Sequence, residues 1–141
     1  MRNEKLALLV DVLKKQVNPK MFNMAVLTIH NNFSVSFSDL NMQDFTKYGE
    51  CGCALAWYKL LINPTLKFSK LHEEFGMGFP VVSRFFLHGC IVTGKDGIQY
   101  PITMSKETTL YIWIDAVEAW LNGGEVTHYP SSTGDFVLLE A

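Results

Sequence analysis

Three cysteines and four histidines are the side chains of this chain best suited to covalent or metal chemistry. Cys51 and Cys53 stand two positions apart, and His88 and Cys90 repeat that spacing downstream. A thiol attacks as its thiolate, and a helix N-terminus favours that charge. Cys51 or Cys53, at the head of an apolar helical run, is therefore the candidate nucleophile, with His88 as a candidate base. His30, His72 and His128 carry no more of a local signature than His88, so spacing does not choose among them. Cys51, Cys53, His88 and Cys90 also supply four soft ligands, but structural zinc is usually held by cysteine pairs separated by two to four residues. A cysteine inside an apolar run is commonly a small buried hydrophobe. The expectation is of packed, inert thiols with no catalytic residue, no metal and no cofactor; Cys51, Cys53 and His88 form the alternative, catalytic set.

A second pattern, Gly89-Cys-Ile-Val-Thr-Gly94-Lys95-Asp96, has the glycine and lysine spacing of a phosphate-binding loop. That loop needs Ser or Thr after its lysine to hold magnesium, and it opens a helix whose N-terminus faces the phosphates. Here Asp96 would repel phosphate, and Asp96-Gly97 lies between two β-prone runs, which predicts a hairpin turn instead.

The most specific spacing is Tyr48-Gly-Glu-Cys-Gly-Cys-Ala-Leu-Ala-Trp57. Gly49 and Gly52 allow close backbone approach just before a helix expected from Cys53 to Ile62, so Gly49, Gly52, Cys53, Ala54 and Trp57 read as a packing motif. This segment resembles the signature of a family of small, mostly phage- and prophage-encoded proteins of uncharacterised function: Cys-Gly-x-x-Gly/Ala-Cys-Ala-x-Gly followed by an aromatic residue or His. The opening helix with Phe22-Asn23-Met24, then Phe75-Gly76-Met77 and the late helix ending at Leu121, also fit the family's layout. Tyr48 and Ala56 depart from it, standing where the family usually has its first Cys and a Gly. The resemblance implies a phage- or prophage-type accessory protein of the bacterial cytoplasm and no particular reaction.

With 141 residues, the chain is expected to form one domain, 1–141. Hydrophobic residues make up 48% and charged residues 18%, leaner in charge than usual, so apolar groups are expected at the surface and favour a protein partner or homo-oligomer. A net charge of -2 argues against a nucleic-acid footprint. Asp11 and Lys14-Lys15 spoil the early apolar run as a signal peptide, and no stretch approaches the ~18 apolar residues of a membrane span. An odd cysteine count suits a reducing compartment.

The elements that must position these groups read as a helix-dominated α+β domain with a small antiparallel β-hairpin. Leu6, Leu9, Val10, Leu13 and Val17 fall on one helical face, stopped by Asn18-Pro19. Further helices are expected at Lys67–Phe75 and Pro80–His88, the latter ended by Gly89, all packed around Cys53–Ile62. The hairpin is expected at Cys90–Pro101. Ser105 is the expected N-cap of a final helix whose stripe of Leu110, Trp113, Ile114, Val117, Trp120 and Leu121 ends at Asn122-Gly123-Gly124. Val126–Tyr129 and Phe136–Leu139 are short β-prone pieces that could pair with each other or add to the hairpin. Residues 22–48 carry conflicting signals. Lys14, Lys15 and Lys20, the His72-Glu73-Glu74 run, and Asp115 with Glu118 all read as solvated faces. The functional expectation is protein binding, with inhibition of a host or defence enzyme as one form of it; the alternative is a small cysteine-dependent enzyme or ligand-binding protein.

Overall fold

The computed structural model describes residues 2–24, 29–30, 33–34 and 53–127. Tyr48, Gly49, Cys51, Gly52 and His128 lie outside these residues, as does the β-prone piece Phe136–Leu139. The fold is the expected α+β arrangement, with helices packed on a small antiparallel sheet.

Helix α1 spans Glu4–Gln16 and buries Leu6, Leu9, Val10 and Leu13. Asn3 starts it: its side-chain oxygen accepts from the Leu6 amide at 3.0 Å, while its amide nitrogen donates to the Phe75 carbonyl at 2.7 Å. One residue thus caps a helix and ties it to a distant segment. Asn18 then caps a single 3₁₀ turn, Pro19–Met21, whose first position suits proline. Two short strands, β1 (Ile29–His30) and β2 (Phe33–Ser34), pair antiparallel.

Helix α2, Ala54–Leu61, is the chain's most enclosed helix among the described residues: every residue from Ala54 to Leu60 is buried, Lys59 included. The Lys59 ammonium meets the Leu66 carbonyl at 3.3 Å, so its charge ends on a polar group, as burial requires. The Trp57 indole donates to the Met21 carbonyl at 3.2 Å and fixes α2 against the segment after α1.

The expected Lys67–Phe75 helix is a 3₁₀ turn, Phe68–Lys70, followed by α3, Leu71–Phe75, which Gly76 ends in the left-handed region at φ 64°. The expected regular helix at Pro80–His88 is α4, Phe79–Ser83, running on into a π-helical turn, Arg84–His88. Phe85 and Phe86 are adjacent and both buried, at 0% and 2% exposure.

Strand β3 (Cys90–Thr93) pairs antiparallel with β4 (Gln99–Ile102), as the Asp-Gly turn predicts. The hairpin gains a third member, β5 (Glu125–Thr127), on the far side of β3, giving the order β4-β3-β5. Helix α5, Leu110–Leu121, packs on both β3 and β4 and on α1. It buries Leu110, Trp113, Ile114, Ala116, Val117 and Trp120. The sequence places α2 at the centre of the helices, yet α5 is the element that joins α1 to the sheet.

The expected cap of α5 is corrected. Thr109, not Ser105, is its N-cap, accepting from the Ile112 amide at 3.3 Å. Ser105 instead joins Thr103 at 2.7 Å, and Thr103 also meets Thr108 at 2.8 Å. This hydroxyl cluster makes a turn of its own and delays the helix.

Candidate functional site

The two described thiols are free and buried. Cys53 occupies the N-cap of α2, where backbone amides stabilise a thiolate, but its 4% exposure decides the balance: burial pushes the thiol up more than those amides bring it down. Burial also pushes the Cys90 thiol, in β3, up to about 12; the nearby Arg84 charge opposes this and does not overcome it. The helix-terminus argument for Cys53 as a nucleophile therefore loses to desolvation. His88 and His72 are exposed, and His30 lies in β1. Among the described residues, no group of three or more His, Cys, Asp or Glu side chains converges to hold a metal.

The glycine-lysine pattern is a turn. The Gly94 amide donates to the Ile98 carbonyl at 2.9 Å, the Gly97 amide to the Gly94 carbonyl at 3.0 Å, and the Asp96 carboxylate accepts from the Ile98 amide at 3.0 Å. The turn leads into strand β4 and not into a helix, so no helix N-terminus faces a phosphate here.

This turn is nevertheless one wall of an open cleft of about 590 Å³, whose other wall is the outer face of α5. Lys95, Asp96 and Tyr100 line it from the hairpin, and Asp115, Glu118 and Asn122 from the helix. A second cleft of about 400 Å³ lies on the α1 side of α5, walled by Ala7, Val10, Asp11, Lys14 and Leu121, and it shares Glu118 and Asn122 with the first. Lys14 reaches Glu118 at 2.8 Å, an ion pair that raises the lysine's proton affinity, first through that hydrogen bond. Lys15 pairs with Asp11 at 3.0 Å, so these two lysines are engaged, not merely solvated. Among the described residues, no cysteine or histidine lines either cleft.

At the start of α5, Tyr111 and Ile112 are 59% and 40% exposed. Tyr111 and Asp115 stand four positions apart, which places them on one helix face. The apolar stripe of this helix is expected in the core. That holds for Trp113 at 0% and Trp120 at 2% exposure, but the 3.6-residue period leaves Tyr111 and Ile112 outside the stripe. No local signal marks Arg2 either: its guanidinium donates to the carbonyls of Trp120 and Gly124 at 2.9 and 2.8 Å, lies 4.2 Å from the Trp120 ring centroid, and thereby satisfies the C-terminal end of α5.

The His72-Glu73-Glu74 run divides. His72 and Glu73 are exposed, whereas the Glu74 side chain is only 12% exposed. Its carboxylate accepts from Lys5 at 2.8 Å and from Asn63. Burial pulls the Glu74 carboxyl upward, but hydrogen bonds from Lys5 and Asn63, with the Lys5 charge, outweigh it and hold the group below the usual carboxylate range. No known family, curated protein or solved structure matches the chain.

Proposed function

We propose that this protein is a phage- or prophage-type accessory protein that acts by binding another protein in the bacterial cytoplasm, with inhibition of a host or defence enzyme as its form of action. The observation that carries the binding role is the outward placement of Tyr111 and Ile112 side by side on the first turn of α5, at 59% and 40% exposure. Aromatic and aliphatic side chains left in water are costly to solvate and are the usual anchors of interfaces. The burial of the Cys53 and Cys90 thiols counts against either as the nucleophile of the alternative, a cysteine-dependent enzyme. The phage assignment rests on the sequence resemblance alone: the Tyr48–Trp57 segment, with the layout of the opening helix, Phe75-Gly76-Met77 and the late helix around it.

The test is an affinity pull-down from bacterial lysate read by mass spectrometry, run with the native chain and with Tyr111→Ser/Ile112→Ser, beside sedimentation of the pure protein. The expected result is a partner, or a second copy of the chain, retained by the native protein and lost from the double variant. No capture and no self-association would refute the binding role.

A further inference from the structure

We propose that the paired clefts over α5 are a docking trough for a protein segment that carries both cationic and apolar side chains; this rests on the protein-binding role above and names the chemistry of the partner. The two clefts share Glu118 and Asn122, so they adjoin across a single helix. Their linings differ. On the hairpin side, among the described residues, Asp96, Asp115 and Glu118 face Lys95, and the Lys14 charge acts on Glu118 and Asp115 from the α1 side. Glu118 is engaged by Lys14 and Asp96 by its own turn, but Asp115 is exposed and, among the described residues, makes no ion pair. Helix α5 itself carries no basic residue.

The surplus on this side is negative, and a lysine or arginine side chain complements it. On the α1 side, Ala7, Val10 and Leu121 offer apolar wall to a neighbouring side chain of the same segment. Tyr111, one turn before Asp115, presents an exposed ring over which a guanidinium can sit. An acidic segment would meet like charge in the same place, so the electrostatics favour a basic partner in this trough.

The probe is a short fluorescein-labelled peptide of arginine and leucine, compared with one in which glutamate replaces arginine, by fluorescence anisotropy at low and high salt. Binding is then mapped by amide chemical shifts on the ¹⁵N-labelled chain. The expected result is binding of the basic peptide alone, weakened by salt, with shifts concentrated in Ala7–Lys14 and Asp115–Asn122. Asp96→Asn/Asp115→Asn, two exposed positions, should weaken it by about ten-fold or more. Equal binding of the acidic peptide, shifts centred elsewhere, or unchanged affinity of the double variant would overturn the proposal. A lysate partner held equally by native chain and double variant would overturn the trough while leaving the binding role intact.

Discussion

Gly124 links the end of α5 to the start of β5, and replacing it with alanine should be among the most damaging single-methyl additions to this protein. A Cβ built there lies 2.8 Å from the Ala119 carbonyl oxygen and 2.8 Å from that of Thr93. Both are backbone atoms, one at the C-terminal turn of α5 and the other at the end of β3, so no side chain can rotate out of the way. Overpacking of a tight site costs about 1–3 kcal/mol. Relief by moving Gly124 would also lengthen the hydrogen bond its N–H donates to the Ala119 carbonyl, now 2.9 Å, and the one its carbonyl accepts from Arg2, now 2.8 Å, at about 1 kcal/mol for a lost hydrogen bond. The combined loss is about 2–4 kcal/mol, which for a domain of this size lowers the melting temperature by roughly 6–12 °C. Thermal unfolding followed by circular dichroism measures it. Gly97→Ala is the control: Gly97 sits at φ 82° and, among the described residues beyond its chain neighbours, no atom lies within 4 Å of a Cβ, so its cost is backbone strain alone, about 1–2 kcal/mol. A Gly124→Ala protein melting within about 2 °C of the native chain would refute the close-approach argument.

Three further outcomes are expected. Because the folded-state pKa of Glu74 lies below its ordinary value of 4.5, its contribution is complete above that value and is lost as pH falls through the folded pKa. Native protein should therefore exceed Glu74→Gln in denaturation midpoint at neutral pH and converge with it in acid; parallel curves across that range would show the carboxylate to be idle. Iodoacetamide at mildly basic pH, with sites read by mass spectrometry, should leave Cys53 and Cys90 unmodified in native protein and label both after unfolding, and rapid native labelling of either would restore the nucleophile reading. Trp113→Phe keeps an aromatic ring in the core but removes the indole donor that meets the Phe85 carbonyl at 2.9 Å; urea denaturation should show a loss of about 1–3 kcal/mol, and no loss would mean that the carbonyl finds another donor.

Local sequence signals determined the elements whose cause is local. The apolar period of Leu6 to Val17 and of Leu110 to Leu121 places α1 and α5, because a helix face must match whatever it packs on. Asp96-Gly97 places the hairpin turn through hydrogen bonds spanning only a few residues. The cysteine in an apolar run was legible as a buried thiol, since desolvation follows from the company Cys53 keeps. Tertiary structure decided everything that depends on residues far apart in the chain. The partnership of β5 with β3, Arg2 at the end of α5, Asn3 bridging to Phe75, and Lys5 and Asn63 on Glu74 have no spacing to announce them. The clefts belong to the same class: Asp96 and Asp115 line one wall pair only because the sheet seats its turn beside α5. Sequence sets which face of each helix is apolar, but which polar residues share a surface is fixed by how the helices and sheet dock.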